Sequence, residues 1–296
     1  MDAPATSFAL ASAQRRWLLL ALVAANLVGL IAVVVLSNDR YQLVDRVNLA
    51  YGIGLPERSQ PPMLVIAHRG DPDRYPENTL EAIETAAAGS ADGIEFDVHR
   101  SADGVWYVIH DRTLERTTDL SGRVDSRTSS EIDQARIDGG LGFRPEHLGL
   151  AVPRLETVLD ELSDYDGELI VDLYHRESGD AAEVAALLDG RPATLITQGV
   201  ADIEAIRAVD PELSAIARDW SAAAERDGIL LDANVEATVG KVRDAGQPVW
   251  TYVDDRYFKD DEEHIIRRAW AADVFAYISK HPEAAAATVA RLRVGG

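Results

Sequence analysis

Two histidines and a small group of acids recur at spacings suited to chemistry at phosphorus. They lie in His68-Arg69-Gly70, Pro76-Glu77-Asn78-Thr79, Glu95-Phe96-Asp97 and His110-Asp111. Each stretch follows or ends a short apolar run. Together they supply two acid/base groups, two carboxylates suited to a metal and a guanidinium, all within about one strand–helix–strand unit. Such a set can support metal-assisted attack on a phosphodiester.

Glu95 and Asp97 are two residues apart in an apolar run, so in a strand both side chains point to one face. Ile94, Phe96 and Val98 then point to the other face, suited to burial against helices. Two neighbouring carboxylates are costly to bury unless a cation neutralises them, and a hard divalent ion with oxygen ligands does so. A solvated edge strand with its acids outward fits the alternation equally; the surrounding histidines favour the first reading. Asp172 ends a similar run, Leu169-Ile170-Val171-Asp172, and either completes a metal triad or is a paired structural acid. Glu77 and Asn78 are expected at a helix start, where Asn caps well. Asp111 could orient a histidine or merely open the next loop. Trp250 and Tyr252 share a face of a late strand, and Trp250 is expected at the substrate mouth. His99, His147, His264 and His281 have no motif around them and are expected on the surface.

The elements that must position these groups alternate. Strands are expected at 63–67, 93–98, 168–173, 194–197, 213–217, 229–231, 248–253 and 274–278, with an extra one at 105–109. Helices fit at 79–88, 154–163, 180–189, 200–208, 220–226, 235–245, 261–271 and 282–292. Eight strand–helix units predict an α/β fold, a TIM (β/α)8 barrel over residues 62–296. A doubly wound open sheet is the alternative, disfavoured because no Gly-x-Gly-x-x-Gly follows a strand. Residues 112–150 form a long insertion after the second strand, too long for a plain connection.

The chain has 296 residues, no cysteine and a formal net charge of −21. Thiolate zinc sites, disulfides and a cysteine nucleophile are excluded. So acidic a surface repels nucleic acid, and no nucleic-acid partner is expected. It repels an anionic diester too, so such a substrate needs a local positive centre. Before the barrel, residues 17–36 are apolar except for Asn26 and Gly29, long enough to cross a bilayer. Arg15-Arg16 precedes them, which favours residues 1–16 in the cytoplasm and the barrel outside it. An uncleaved signal anchor is expected rather than a cleaved signal peptide, because the apolar run is long and lacks an Ala-x-Ala site. Residues 37–61 read as a juxtamembrane linker ending at Gln60-Pro61-Pro62.

With Arg116-Thr117-Thr118, Val152-Pro153-Arg154-Leu155-Glu156 and Trp250-Thr251 added to the four stretches, the chain resembles the glycerophosphodiester phosphodiesterase family. The resemblance covers nearly all of 63–296 and is densest from 66 to 160. It implies a TIM barrel that hydrolyses glycerophosphodiesters to glycerol 3-phosphate and an alcohol. Carried over, His68 and His110 are the acid/base pair and Arg69 contacts the phosphate. Glu95, Asp97 and Asp172 hold Ca²⁺ or Mg²⁺, Glu77 stands beside the metal, and 112–150 is the small insertion capping the site.

Two positions depart from the family pattern. Its usual Glu-x-Lys is here Asp172-Leu173-Tyr174, which shortens one ligand and removes a cation from the phosphate side. Its Thr-Asp-x-Pro is here Ser279-Lys280-His281-Pro282, where Lys280 could restore a cation. Tyr174, Lys280 and Trp250 are therefore the expected substrate contacts beside Arg69. With an anchor near lipid headgroups, lysophospholipids join glycerophosphodiesters as expected substrates. The alternatives are a sphingomyelinase D-like phospholipase, also known for an aspartate ligand, and a barrel that binds phosphodiesters without turnover.

Overall fold

A computed structural model describes residues 63–173, 179–218, 228–232, 248–252 and 262–294. The expected membrane span, the linker, Tyr174 and the helices expected at 220–226 and 235–245 lie outside the described residues. Among the described residues no helix is long and apolar enough to cross a membrane.

The strands are β1 (Leu64–His68), β2 (Gly93–Arg100), β3 (Trp106–Val108), β4 (Glu168–Asp172), β5 (Ala193–Thr197), β6 (Ser214–Ala217), β7 (Gly228–Asp232), β8 (Val249–Tyr252) and β9 (Ala276–Ser279). Between or after them lie α1 (Leu80–Ala87), α2 (Ser129–Ile132), α3 (Leu155–Glu161), α4 (Asp180–Leu188), α5 (Val200–Val209), α6 (Glu262–Ala271) and α7 (Pro282–Val294). All strands but β3 pair in parallel, and β1 pairs with both β2 and β9, which closes the barrel. β3 runs antiparallel to the end of β2. The open-sheet alternative is thus set aside.

The outward faces of the strands carry aliphatic residues against the helices, as with Ile94, Phe96 and Val98 of β2 packed with Ile83, Val158 and Leu159. Inside the barrel lie Ile66, Ile170, Ile196, Ile216, Trp250 and Ile278. A barrel with shear eight staggers each strand by about one residue against the last, so inward side chains stack in layers drawn from alternate strands. With that stagger applied to the observed pairing, Ile66, Ile170, Ile216 and Trp250 form one layer. His68, Asp172, Arg218 and Tyr252, each two residues further along the same strands, form the next layer toward the strands' C-terminal ends.

Trp250 is therefore misplaced by the sequence reading. It is 3% exposed, packs on Phe275 with ring centroids 5.6 Å apart, and fills the barrel below the mouth. The depth of a strand residue is set by the stagger of the whole sheet, which no single strand reveals. Tyr252, one layer higher, is its mouth-side neighbour.

The insertion has a small core of its own. Leu114, Val124, Ile132, Ala135 and Ile137 pack with Tyr107 and Ile109. His147 is buried there with its ring centroid 5.3 Å from that of Tyr75, so it is an internal packing residue and not the surface group expected.

Candidate active site

The mouth of β1 turns sharply after His68. Arg69 adopts φ 58° and Gly70 φ 86°. A Cβ on Gly70 would lie 2.6 Å from the backbone carbon of Ala82, so only glycine lets the loop lie this close to α1. Arg69 donates its backbone N–H to Glu95 Oε2 at 3.0 Å, and its carbonyl accepts from Asn78 N at 3.0 Å. The His-Arg-Gly and Pro-Glu-Asn-Thr loops are thereby tied together.

Asn78 does not cap the helix. Thr79 is the N-cap of α1, its hydroxyl accepting from Ala82 N. Asn78 instead takes a left-handed conformation, φ 58°, donating from Nδ2 to Asp97 Oδ2 at 2.9 Å and accepting from Asp97 N. A capping preference was read where a bridge to β2 exists. Both residues are adjacent in sequence to a helix start, and the distinction is purely conformational.

Glu77 is buried between two guanidinium groups, those of Arg69 and Arg116, and also accepts from Leu141 N at 3.1 Å. Arg116 reaches on to Asp111, with Nε 2.7 Å from Oδ2, and Asp111 Oδ1 lies 2.6 Å from His110 Nδ1. A carboxylate can only accept here, so His110 Nδ1 carries a proton. Burial works against the charge on Glu77, but Arg69 and Arg116 outweigh it and hold its pKa below the usual carboxylate range. Glu77 is thus a clamp for two arginines. Arg69 also brings Nε within 3.1 Å of Asp97 Oδ2.

Glu95, Asp97 and Asp172 converge. All three are buried, and one carboxylate oxygen from each lies within 4.8 Å of the others. Their environments push them apart. Burial, then Asp97 and Asp172, raise Glu95 well above the usual range. Burial would raise Asp97, but Arg69, His110 and Asn78 pull it down to about 2. Burial raises Asp172 to about 6 against the pull of Arg218. Asp172 Oδ1 is buried with no hydrogen-bond partner. An all-oxygen donor set with like charges this close suits a hard divalent cation, which would relieve the repulsion. The three residues fit such an ion.

His68 stands against this cluster, Nε2 4.0 Å from Glu95 Oε2 and its side chain 14% exposed. Burial, then the Arg69 charge, press its pKa well below the usual histidine value. Lys280 is near enough to add to that effect.

Three participants escaped the sequence reading. His99 shares the inward face of β2 with Glu95 and Asp97 and is buried, not on the surface. Its Nε2 lies 3.0 Å from the His110 carbonyl oxygen, donating to it and pinning the backbone of the second histidine. The Glu95-x-Asp97-x-His99 alternation was a signal available for it. Arg116 was noted only within a motif. Arg218, one residue past β6, pairs with Asp172 Oδ2. Of the remaining histidines, His281 is exposed and pairs with Asp73 Oδ1 at 2.8 Å, as a surface residue can.

A closed parallel barrel with a buried acidic cluster and two histidines near its mouth defines a TIM barrel with a candidate active site. Residues 68–182 match the glycerophosphoryl diester phosphodiesterase family. A glycerophosphodiester phosphodiesterase of Caldanaerobacter subterraneus subsp. tengcongensis is 44% identical over 103 residues, 35% of this chain and 42% of that protein. Glycerophosphodiester phosphodiesterase 1 of Mus musculus is 35% identical over 118 residues, 40% of this chain and 36% of its own. The crystal structure of a glycerophosphodiester phosphodiesterase from Agrobacterium tumefaciens superposes with a TM-score of 0.61 at 29% identity, covering 76% of this chain and 99% of that one. Over residues 68–182 the chain is similar to the glycerophosphoryl diester phosphodiesterase family. Its sequence matches to the curated relatives span less than half of their length.

Proposed function

We propose that this protein is a phosphoric diester hydrolase that cleaves glycerophosphodiesters, or lysophospholipids, to glycerol 3-phosphate or a lysophosphatidate and an alcohol. The observation that carries the reading is the buried convergence of Glu95, Asp97 and Asp172 beside His68 and the clamped Arg69. The similarity to glycerophosphodiester phosphodiesterases supports the same activity.

Glu95, Asp97 and Asp172 would hold a divalent cation, Ca²⁺ or Mg²⁺. Bound there, such an ion supplies positive charge for the nonbridging oxygens of the transition state. The chain's own residues do the rest. His68 is held neutral by burial and by Arg69, so Nε2, which faces Glu95, takes a proton from the attacking water, or from a neighbouring substrate hydroxyl whose cyclic diester water then opens to the monoester. His110, fixed through Nδ1 by Asp111 and through its carbonyl by His99, acts as the imidazolium, keeping its Nδ1 proton on Asp111 and giving its Nε2 proton to the leaving oxygen. Arg69, locked by Glu77, keeps a fixed positive charge at the mouth.

Residues 17–36 behind Arg15-Arg16 would anchor the barrel outside the cytoplasm, near lipid headgroups. Protease treatment of intact cells checks this: the barrel is expected to be digested and a cytoplasmic marker spared.

The deciding experiment is hydrolysis of glycerophosphocholine, glycerophosphoethanolamine, lysophosphatidylcholine and sphingomyelin by the full chain with Ca²⁺, Mg²⁺ or EDTA. Release of alcohol that EDTA abolishes is expected, with a glycerol-based diester preferred. Preference for sphingomyelin would move the protein to the sphingomyelinase D-like class. A folded protein without turnover on any of the four would make it a binding barrel.

A further inference from the structure

We propose that Arg116 is a positioning residue for His110, steadying Asp111 against the buried Glu77; this rests on the phosphodiesterase reading above. Arg116 belongs to the insertion and not to the strands that carry the histidines and acids. Its guanidinium meets both oxygens of Asp111 as a planar fork, Nε 2.7 Å from Oδ2 and Nη2 3.0 Å from Oδ1. Its Nη1 donates to Glu77 Oε1. Asp111 Oδ1 in turn accepts from His110 Nδ1 at 2.6 Å. One guanidinium therefore joins the carboxylate that holds His110 to a carboxylate that also holds Arg69.

The two ends of this link differ. Asp111 and His110 are both partly exposed, so water can compete for the carboxylate that aims the ring. A single hydrogen bond leaves a carboxylate free to rotate, whereas a fork on both oxygens fixes its plane. Glu77 is 3% exposed and held by two guanidinium groups and by Leu141 N. The insertion closes over it at Gly140, φ 94°, where a Cβ would lie 2.9 Å from both Glu77 Oε1 and Thr117 Cγ2. The backbone beside Arg116 is tied as well, Asp138 N donating to Thr117 O at 3.1 Å. The firm end lies inside the protein, and the end in need of support lies at the mouth. The Arg116 side chain is 41% exposed, so its ion pairs contribute little stability and its contribution is geometry.

Arg116→Ala and Arg116→Lys in the full chain test this, each alone and combined with Asp111→Ala, with kcat and KM measured on glycerophosphocholine in Ca²⁺. Arg116→Ala is expected to lower kcat by roughly 10- to 100-fold, the loss of hydrogen bonds to a charged group expressed as a rate, with KM little changed. In the Asp111→Ala background the same substitution should cost almost nothing further, because residues acting as one unit are not additive. Lysine keeps the charge without the fork and should show a smaller fall of the same kind. Crystal structures of the unaltered protein and the variant should show the Asp111–His110 pair displaced in the variant. An unchanged kcat in the alanine variant, or in the lysine variant where alanine does not fold, overturns the proposal. So does a rise in KM alone, which would make Arg116 a substrate contact, or a full loss in the Asp111→Ala background. If the unaltered protein turns over no diester, the parent reading fails. The crystal structures then decide the role of Arg116 separately, an undisturbed Asp111–His110 pair overturning it.

Discussion

The same strands build two opposite interiors. Deep in the barrel, β1, β4 and β6 contribute Ile66, Ile170 and Ile216, apolar and shut away from water. Two residues further along, the same three strands contribute His68, Asp172 and Arg218. The deep layer gains free energy from burial. The mouth loses some, because Asp172 is held with Glu95 and Asp97 of β2 where solvent cannot separate their charges. A single step of the strand periodicity separates the part that stabilises the molecule from the part that is costly to fold and able to react.

The sharpest break of this comparison is at the histidines. His68→Ala and His110→Ala should each lower kcat by about 10²- to 10⁴-fold with little change in melting temperature, since general acid–base groups contribute on that scale. Equal activity in either variant, measured on glycerophosphocholine, would remove that histidine from the chemistry. The reverse break is Ile170→Ala. It should cost about 2–5 kcal/mol in a denaturant titration while KM stays near its original value, the cavity being one layer from the site.

A pH series sharpens the contrast within the acidic cluster at the mouth. Glu95 and Asp172 have folded pKa values above their ordinary ones, so ionising them opposes folding. With EDTA present, stability should therefore decline as pH rises from about 4 toward 6 and beyond, the range in which Asp172 moves from 3.8 to about 6. Asp97 acts in the opposite sense. Its pKa is depressed to about 2, so its contribution is full above 3.8 and fades as pH falls toward 2. Ca²⁺ should abolish the decline above pH 4, and Asp172→Asn should reduce it. A flat melting curve from pH 4 to 7 in EDTA would show that the cluster is not under charge strain.

The smallest effect belongs to a half-buried acid at the barrel's closing side. Glu262 accepts from Ser279 Oγ at 2.6 Å and Tyr277 Oη at 3.2 Å, and burial raises its pKa from 4.5. It too opposes folding once ionised, above its raised pKa. Glu262→Gln keeps an acceptor for both hydroxyls and should add up to about 1 kcal/mol at neutral pH, with none gained below pH 4. Destabilisation at neutral pH instead would mean the charge itself is used.

Much of this was legible in the chain. The His-Arg-Gly, Glu-x-Asp and His-Asp stretches could be placed because each ends an apolar run, and strand ends are where a parallel barrel exposes side chains. The eight parallel strands fell near the expected ranges for the same reason, β2 extending to Arg100 and thereby enclosing His99. What was hidden depends on relations between strands. Trp250 and Tyr252 differ by one layer, and Arg218 meets Asp172 only because β4 and β6 both flank β5. The Asn78 bridge depends on a left-handed turn, which residue type alone does not announce. The insertion's small core draws on isolated apolar residues spread from Leu114 to Val152, without a period to betray them.

The closure of the barrel has a consequence for how the protein comes into being. β1, which ends in His68, has β9 as its second neighbour, with register pairs such as Leu64 with Ala276. During synthesis β1 therefore waits with one edge unpaired until β9 has left the ribosome. Such a long-range pairing is slow to form, and an open strand edge invites pairing with other chains. Chains cut short before β9 should accumulate as aggregates rather than as smaller working enzymes, however complete their histidines and acids.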